Sequence, residues 1–136
     1  MKFLLDTNIV VDVISRRGGF EDSLTIFRSC EVGIAEGVIS ATTVTDVMYI
    51  LRKHIDPGSV RDAVKTLLLI LDVAGVLKSN ISAAFLSDVK DFEDAVQASC
   101  AERIKADYIV THNLKDFEKS LVPAISPSKA LELIGI

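Results

Sequence analysis

Short apolar runs alternate with segments of helical periodicity along the whole chain. The runs predict buried strands, because they are brief, rich in leucine, isoleucine or valine, and bounded by polar or glycine positions. The predicted strands are residues 2–5, 37–40, 75–77, 108–111 and 124–125. Strands separated by helices of ordinary length are typical of an α/β fold. The pattern therefore predicts a three-layer α/β/α sandwich with a mainly parallel central sheet.

The segments between the strands predict helices, which we place at residues 9–14, 20–30, 44–51, 57–71, 83–86, 91–105 and 127–134. The fourth is expected to start after Asp56, because aspartate is a favoured N-cap residue and Pro57 suits the first helical position. Leu69 and Ile70 widen the apolar stripe of this helix. So wide a stripe predicts burial on two sides or a subunit interface.

Length and hydropathy fit one globular unit. The chain has 136 residues, a hydrophobic content of 49% and a mean hydropathy of +0.39. No apolar run approaches the roughly 18 to 20 residues that cross a bilayer, and Asp6 comes too early for a signal sequence. We therefore expect a single domain over residues 1–136, located in the cytoplasm.

Charge and cysteine content narrow the functional classes. A net charge of −4 and a pI near 5.1 argue against binding of nucleic acid through bulk positive charge. They leave room for a nuclease whose acidity is partly cancelled by metal, and for docking of a basic partner peptide. Cys30 and Cys100 lack the spacing of metal ligands, so we expect free buried thiols.

Carboxylates stand where predicted strands and helices begin or end, in residues 4–8, 91–95 and 110–117. In parallel sheets, ligands bind outside the carboxyl ends of the strands, near the point where strand order reverses. Asp6 follows the first strand and Asp116 follows the fourth, so the segments can converge. Neighbouring aspartates raise each other's pKa unless a cation neutralises them. Oxygen ligands suit Mg²⁺ or Mn²⁺, and phosphodiester cleavage is a natural use of such a site.

Each polar residue also has a local alternative. Asp6 could cap the helix that follows it, and Asp94 could be an ordinary acidic residue of a first turn that Asp91 caps. Asp46 lies beside the apolar stripe of its helix and could be a solvated surface residue. The polar residues after the fourth strand could simply shape a turn: Asn113 and Asp116.

Taken together, the motifs resemble the PIN domain family, in particular its compact bacterial and archaeal forms, which include VapC-like toxins. The resemblance rests on LLDTN at 4–8, an acidic residue in the third helix, DFEDA at 91–95, and ADYIVTHN followed by DF within 106–117. These motifs occur in the family's order and cover essentially the whole chain.

The resemblance implies a Mg²⁺- or Mn²⁺-dependent endoribonuclease that cleaves RNA phosphodiester bonds as the toxin of a toxin–antitoxin pair. Asp6 and Asp94 match the family's metal-binding aspartates. Asp46 stands where the family usually has glutamate, and Asn113 stands where many members have aspartate, which leaves Asp116 as the nearby carboxylate. We therefore expect Asp6, Asp46, Asp94 and Asp116 to be catalytic, with metal held by Asp6, Asp94 and Asp116.

Further expectations concern substrate and partners. Water or phosphate would be positioned by Thr7, Asn8, Thr111 and Asn113. The resemblance also implies a homodimer mate and an antitoxin protein. The alternative is a catalytically weak PIN-like module that binds RNA or regulates. An aspartyl-nucleophile phosphatase fits less well, because residues 6–8 lack a second carboxylate.

Overall fold

The computed structural model describes residues 1–136 and contains one five-stranded sheet. Its strands are β1 (Lys2–Leu5), β2 (Glu36–Ser40), β3 (Asp72–Ala74), β4 (Tyr108–Val110) and β5 (Ala124–Ile125). The strand order is β3-β2-β1-β4-β5, and every pairing is parallel. The predicted parallel sheet is therefore confirmed.

Seven helices accompany the sheet: α1 (Thr7–Ser15), α2 (Phe20–Glu31), α3 (Ala41–Leu51), α4 (Pro57–Leu67), α5 (Lys78–Leu86), α6 (Phe92–Arg103) and α7 (Pro127–Leu133). A 3₁₀ helix follows β4 at Leu114–Phe117. Each of the helices is too short or too polar to span a bilayer.

The layers are visible in the central strand β1, whose residues alternate between two cores. Phe3 and Leu5 pack with the apolar faces of α1, α2, α3, α4 and α7. Leu4 packs in a second core with α5 and α6. All three side chains are fully buried. A strand buried on both faces reads as a continuous apolar run, which is why the sequence predicted β1 correctly.

Capping side chains determine where two of the helices begin. The Asp56 carboxylate accepts a hydrogen bond from the Ser59 backbone N–H at 3.1 Å, with Pro57 at the first helical position. The predicted cap of α4 is confirmed. Ser126 caps α7 in the same way, through the Lys129 N–H at 3.2 Å.

The predicted positions of the third strand and of the C-terminal end of α4 are wrong. Helix α4 ends at Leu67, so Leu69 lies beyond the helix. It is 87% exposed and therefore not buried on a second side, while a subunit interface at these residues stays a prediction. The chain then reaches the sheet at Asp72 instead of at residue 75. Because β3 is an edge strand that pairs only with β2, it tolerates an exposed aspartate, and an apolar run does not mark it.

The order of the strands in the sheet determines where the candidate site lies. From β1 the chain builds the sheet outward through β2 and β3, whereas β4 and β5 lie on the other side of β1. The order therefore reverses between β1 and β4. The Asp6 backbone N–H continues the ladder by donating to the Val110 carbonyl oxygen at 3.0 Å. The residues that follow these two strands, Asp6 and Thr111, are consequently neighbours.

Candidate functional site

Asp6 lies at the centre of the site and is 4% exposed. It occupies the N-cap position of α1, but its side chain makes no capping hydrogen bond. Instead, Oδ2 accepts from the Thr111 hydroxyl at 2.8 Å and Oδ1 accepts from the Gln97 amide nitrogen at 2.9 Å. The capping alternative is therefore wrong, because the carboxylate is held between the end of β4 and helix α6.

A cavity of about 310 Å³ opens beside Asp6. Four carboxylates from the end of β1, from α3 and from the start of α6 line it: Asp6, Asp46, Glu93 and Asp94. Thr7 and Asn8 contribute to the same lining. We call this space the acidic cavity. It brings together five of the residues that the sequence singled out.

Asp94 is the most perturbed carboxylate of the acidic cavity. Asp91 caps α6 by accepting from the Asp94 backbone N–H at 3.0 Å, so the predicted cap with Asp94 in the first turn is confirmed, and the Asp94 side chain also lines the cavity. Burial, followed by the negative charge of Asp6 and then smaller contributions from Asp91, Asp116 and Glu93, raises the pKa of Asp94 from 3.8 to about 7. A cation in the cavity would reverse this effect by favouring the charged form.

The pKa values of two other carboxylates of the acidic cavity are also raised. Burial raises the pKa of Asp46. The charge of Asp46, then burial and the charge of Asp91, raise the pKa of Glu93. Acidic side chains of α3 and α6 therefore face one cavity, and no basic side chain lines it.

The residues that follow β4 lie outside the lining of the acidic cavity. The Thr111 hydroxyl accepts from the Asn113 backbone N–H at 2.9 Å while it donates to Asp6, which fixes its orientation. The Asn113 side chain and Asp116 do not line the acidic cavity. Asp116 is exposed on the 3₁₀ helix, close enough to contribute to the raised pKa of Asp94. Its role as a metal ligand stays a prediction.

Sequence reasoning missed four residues of the cavity, Tyr49, Ile50, Glu93 and Gln97. Glu93 is part of the DFEDA motif but received no role. Gln97 lies one helical turn after Asp94 and is 4% exposed within the apolar run AVQASCA. A buried polar residue in such a run was the available signal, because buried amides need hydrogen-bond partners.

The cavity fits a divalent cation that prefers oxygen ligands. The Gln97 Oε1 atom is buried and has no hydrogen-bond partner, although the other end of the amide binds Asp6. No three acidic, histidine or cysteine side chains are grouped tightly enough to enclose an ion by themselves. Mg²⁺ accepts such a site, because it is usually held by one or two carboxylates together with water and substrate phosphate.

The raised pKa of Asp94 predicts a pH dependence of stability in EDTA. Its folded value of about 7 exceeds the ordinary value of 3.8, so the folded state binds more protons between these pH values. The free energy of unfolding should therefore fall as pH rises from about 4 to 7 and then level off. Asp94→Asn should flatten this decline in urea denaturation curves. The exposed Asp62→Asn serves as the control, and equal slopes for both variants would contradict the assignment.

Comparisons with known proteins agree with this architecture. A family model described as the PIN domain matches residues 2–115. A search of curated proteins finds no match. Among solved structures, VapBC2 from Rickettsia felis bound to a promoter DNA fragment is 17% identical, with a TM-score of 0.74 and coverage of 93% of this chain and 98% of that chain.

Two further structures have the same fold. DNA-bound VapBC from Salmonella typhimurium is 20% identical, with a TM-score of 0.72 and coverage of 93% of this chain and 98% of that one. VapC20 from Mycobacterium tuberculosis, a sarcin-ricin loop cleaving toxin, is 12% identical, with a TM-score of 0.65 and coverage of 79% and 86%. Because the family model matches most of its length, the chain belongs to the PIN domain family.

Proposed function

We propose that the protein is a Mg²⁺- or Mn²⁺-dependent endoribonuclease that acts in the cytoplasm as the toxin of a toxin–antitoxin pair. The observation that carries the proposal is the buried Asp6 carboxylate, which faces a cavity of four carboxylates and is held by neutral donors alone. Such a concentration of uncompensated negative charge is stabilised by a divalent cation.

Asp6 and Asp94 would hold the ion, and Asp46, Glu93 and Asp116 would add negative charge around it. The ion, when bound, activates a water molecule and stabilises charge on phosphorus. Thr111 and Gln97 fix the orientation of Asp6 through their hydrogen bonds. Thr7 and Asn8 line the cavity, where their side chains can orient water or phosphate. We assign the same positioning role to Asn113, on the loop that supports Thr111.

A second cavity supports an RNA strand as the substrate. It has a volume of about 420 Å³, and Asp91 and Asp116, whose charges both act on Asp94, are part of its lining. Three exposed lysines also line it: Lys90, Lys115 and Lys119. None of them forms an ion pair. Asp88 and Glu118 complete the lining, so four carboxylates outnumber the three lysines, and the contact that we propose is between single ammonium groups and phosphates. We call this space the lysine cavity. Unpaired ammonium groups are the usual partners of backbone phosphates.

Protein partners follow from the resemblance to VapBC complexes. We propose an antitoxin protein that covers the acidic cavity, together with a homodimer mate. The net charge of −4 suits a partner that carries basic residues.

The second candidate function is an RNA-binding or regulatory module with weak cleavage. Two observations favour it: Asp116 lies outside the acidic cavity, and α3 presents the short side chain of Asp46 in place of a glutamate. Weaker binding of the metal would then lower the rate of cleavage without removing the lysine cavity.

Cleavage of mixed RNA by the purified protein tests the proposal. With Mn²⁺ we expect products that EDTA abolishes. Asp94→Asn should lower the rate by on the order of 100-fold, because it removes a charge from the proposed metal site while keeping the shape of the side chain. Asp62→Asn, prepared in parallel, controls for the loss of one negative charge away from the acidic cavity. Cleavage that persists in EDTA, or Asp94→Asn within about twofold of wild type, would contradict the proposal, and tight binding without cleavage would favour the second candidate.

The lysine cavity predicts a defined salt dependence. In the slowly cleaving Asp94→Asn background, with EDTA present, changing Lys90, Lys115 and Lys119 to glutamine should weaken binding of single-stranded RNA. The slope of log K against log salt should fall in magnitude by about 2, since each phosphate contact on a single strand contributes about 0.7. Fluorescence anisotropy from 50 to 300 mM salt measures it.

The matched control changes three exposed lysines that do not line the cavity: Lys53, Lys65 and Lys78. This control has the same net charge as the test variant. An equal loss in both triple variants would mean that only overall charge matters, and the lysine cavity would lose its assigned role.

A further inference from the structure

Gln97 is a buried amide whose two ends have different surroundings. It lies on α6 one turn after Asp94, is 4% exposed and lines the acidic cavity. Its Nε2 atom donates to Asp6 Oδ1 at 2.9 Å. Its Oε1 atom is buried without a hydrogen-bond partner. One end is therefore satisfied by the protein, and the other is not.

The orientation of this amide follows from Asp6. The Thr111 hydroxyl accepts from the Asn113 N–H, so its own hydrogen goes to Asp6 Oδ2. The other oxygen, Oδ1, is an acceptor and requires a donor from Gln97. A flipped amide would place two acceptors 2.9 Å apart. The NH₂ group must therefore face Asp6, which leaves Oε1 without a donor.

Thr111 and Gln97 both hold Asp6, but only Gln97 has a buried polar atom without any partner. The Thr111 hydroxyl already donates once and accepts once within the protein. One turn further along α6, on the same face as Gln97, lie the buried Cys100 and Ala101, so an apolar side chain would suit that side of this position. Leaving a carbonyl oxygen buried without a donor destabilises the metal-free fold.

We propose that Gln97 is a positioning residue with two contacts. Its NH₂ group fixes Asp6, and its Oε1 atom accepts a hydrogen bond from a water molecule bound to the divalent cation. This inference rests on the proposed metal-dependent function. Outer-sphere acceptors of this kind orient the ligands of a metal and commonly change its affinity by 10- to 100-fold.

Two variants separate this role from simple support of Asp6. Gln97→Met removes the donor to Asp6 together with the unsatisfied oxygen, and it keeps a similar length. Thr111→Val removes a donor to Asp6 too, but it also deprives the Asn113 N–H of its acceptor and leaves Oε1 of Gln97 in place. Both variants are measured for melting temperature in EDTA and for Mn²⁺ affinity by calorimetry, neither of which depends on RNA cleavage.

We expect the two variants to differ in Mn²⁺ affinity. Both should melt below wild type in EDTA, because each leaves one oxygen of the buried Asp6 carboxylate without its donor. Gln97→Met should lose 10- to 100-fold in Mn²⁺ affinity, whereas Thr111→Val should keep its affinity within about threefold, because it leaves the proposed water contact intact. Binding of Mn²⁺ by Gln97→Met at the wild-type affinity would overturn this inference alone. Absence of Mn²⁺ binding by wild type would overturn the proposed metal dependence and this inference with it.

Discussion

The site depends on one buried carboxylate that is satisfied only by neutral hydrogen-bond donors. Asp6 receives one hydrogen bond from Thr111 and one from Gln97, so it joins the ends of β1 and β4 to helix α6. This junction exists because the strand order reverses between β1 and β4. Burial of a charge is costly unless it is paired, and these donors satisfy the oxygens without cancelling the charge.

A second buried aspartate, in helix α1, has partners of a different kind from those of Asp6. Asp12, one of the buried residues of α1, lies 3.0 Å from His112 Nε2 and 3.9 Å from Arg17 Nη1. Its partners are therefore basic side chains supplied by the protein. Asp6 has no such partner, and Asp94 beside it has a pKa raised to about 7. At neutral pH a proton would compete with the proposed cation for these carboxylates, so metal affinity should rise with pH.

Local signals predicted much of this arrangement. The cap at Asp56 and the run in β1 depend on near neighbours, and both predictions are confirmed. The polar start of the edge strand β3 depends on which strands pair, and the apolar pattern placed it wrongly. The end of α4 was predicted too late, at residue 71, because apolar residues continue beyond Leu67, where the helix stops.

The site was predictable only in part for a similar reason. Asp6 and Asp94 stand at element ends, where the sequence motifs mark them. The role of Gln97 depends on a contact with a residue 91 positions away, which no local pattern reveals. Whether Asp116 lines the acidic cavity depends on the direction that the 3₁₀ helix takes after β4, which the sequence pattern does not reveal.

Anomalous diffraction from crystals soaked in Mn²⁺ tests the central claim most directly. The account predicts one strong peak in the acidic cavity, within about 2.5 Å of an oxygen of Asp6 or Asp94. Crystals of Asp94→Asn under the same conditions should show a much weaker peak. A peak among Asp88 and Glu118 of the lysine cavity, or no peak beside Asp6, would contradict the account.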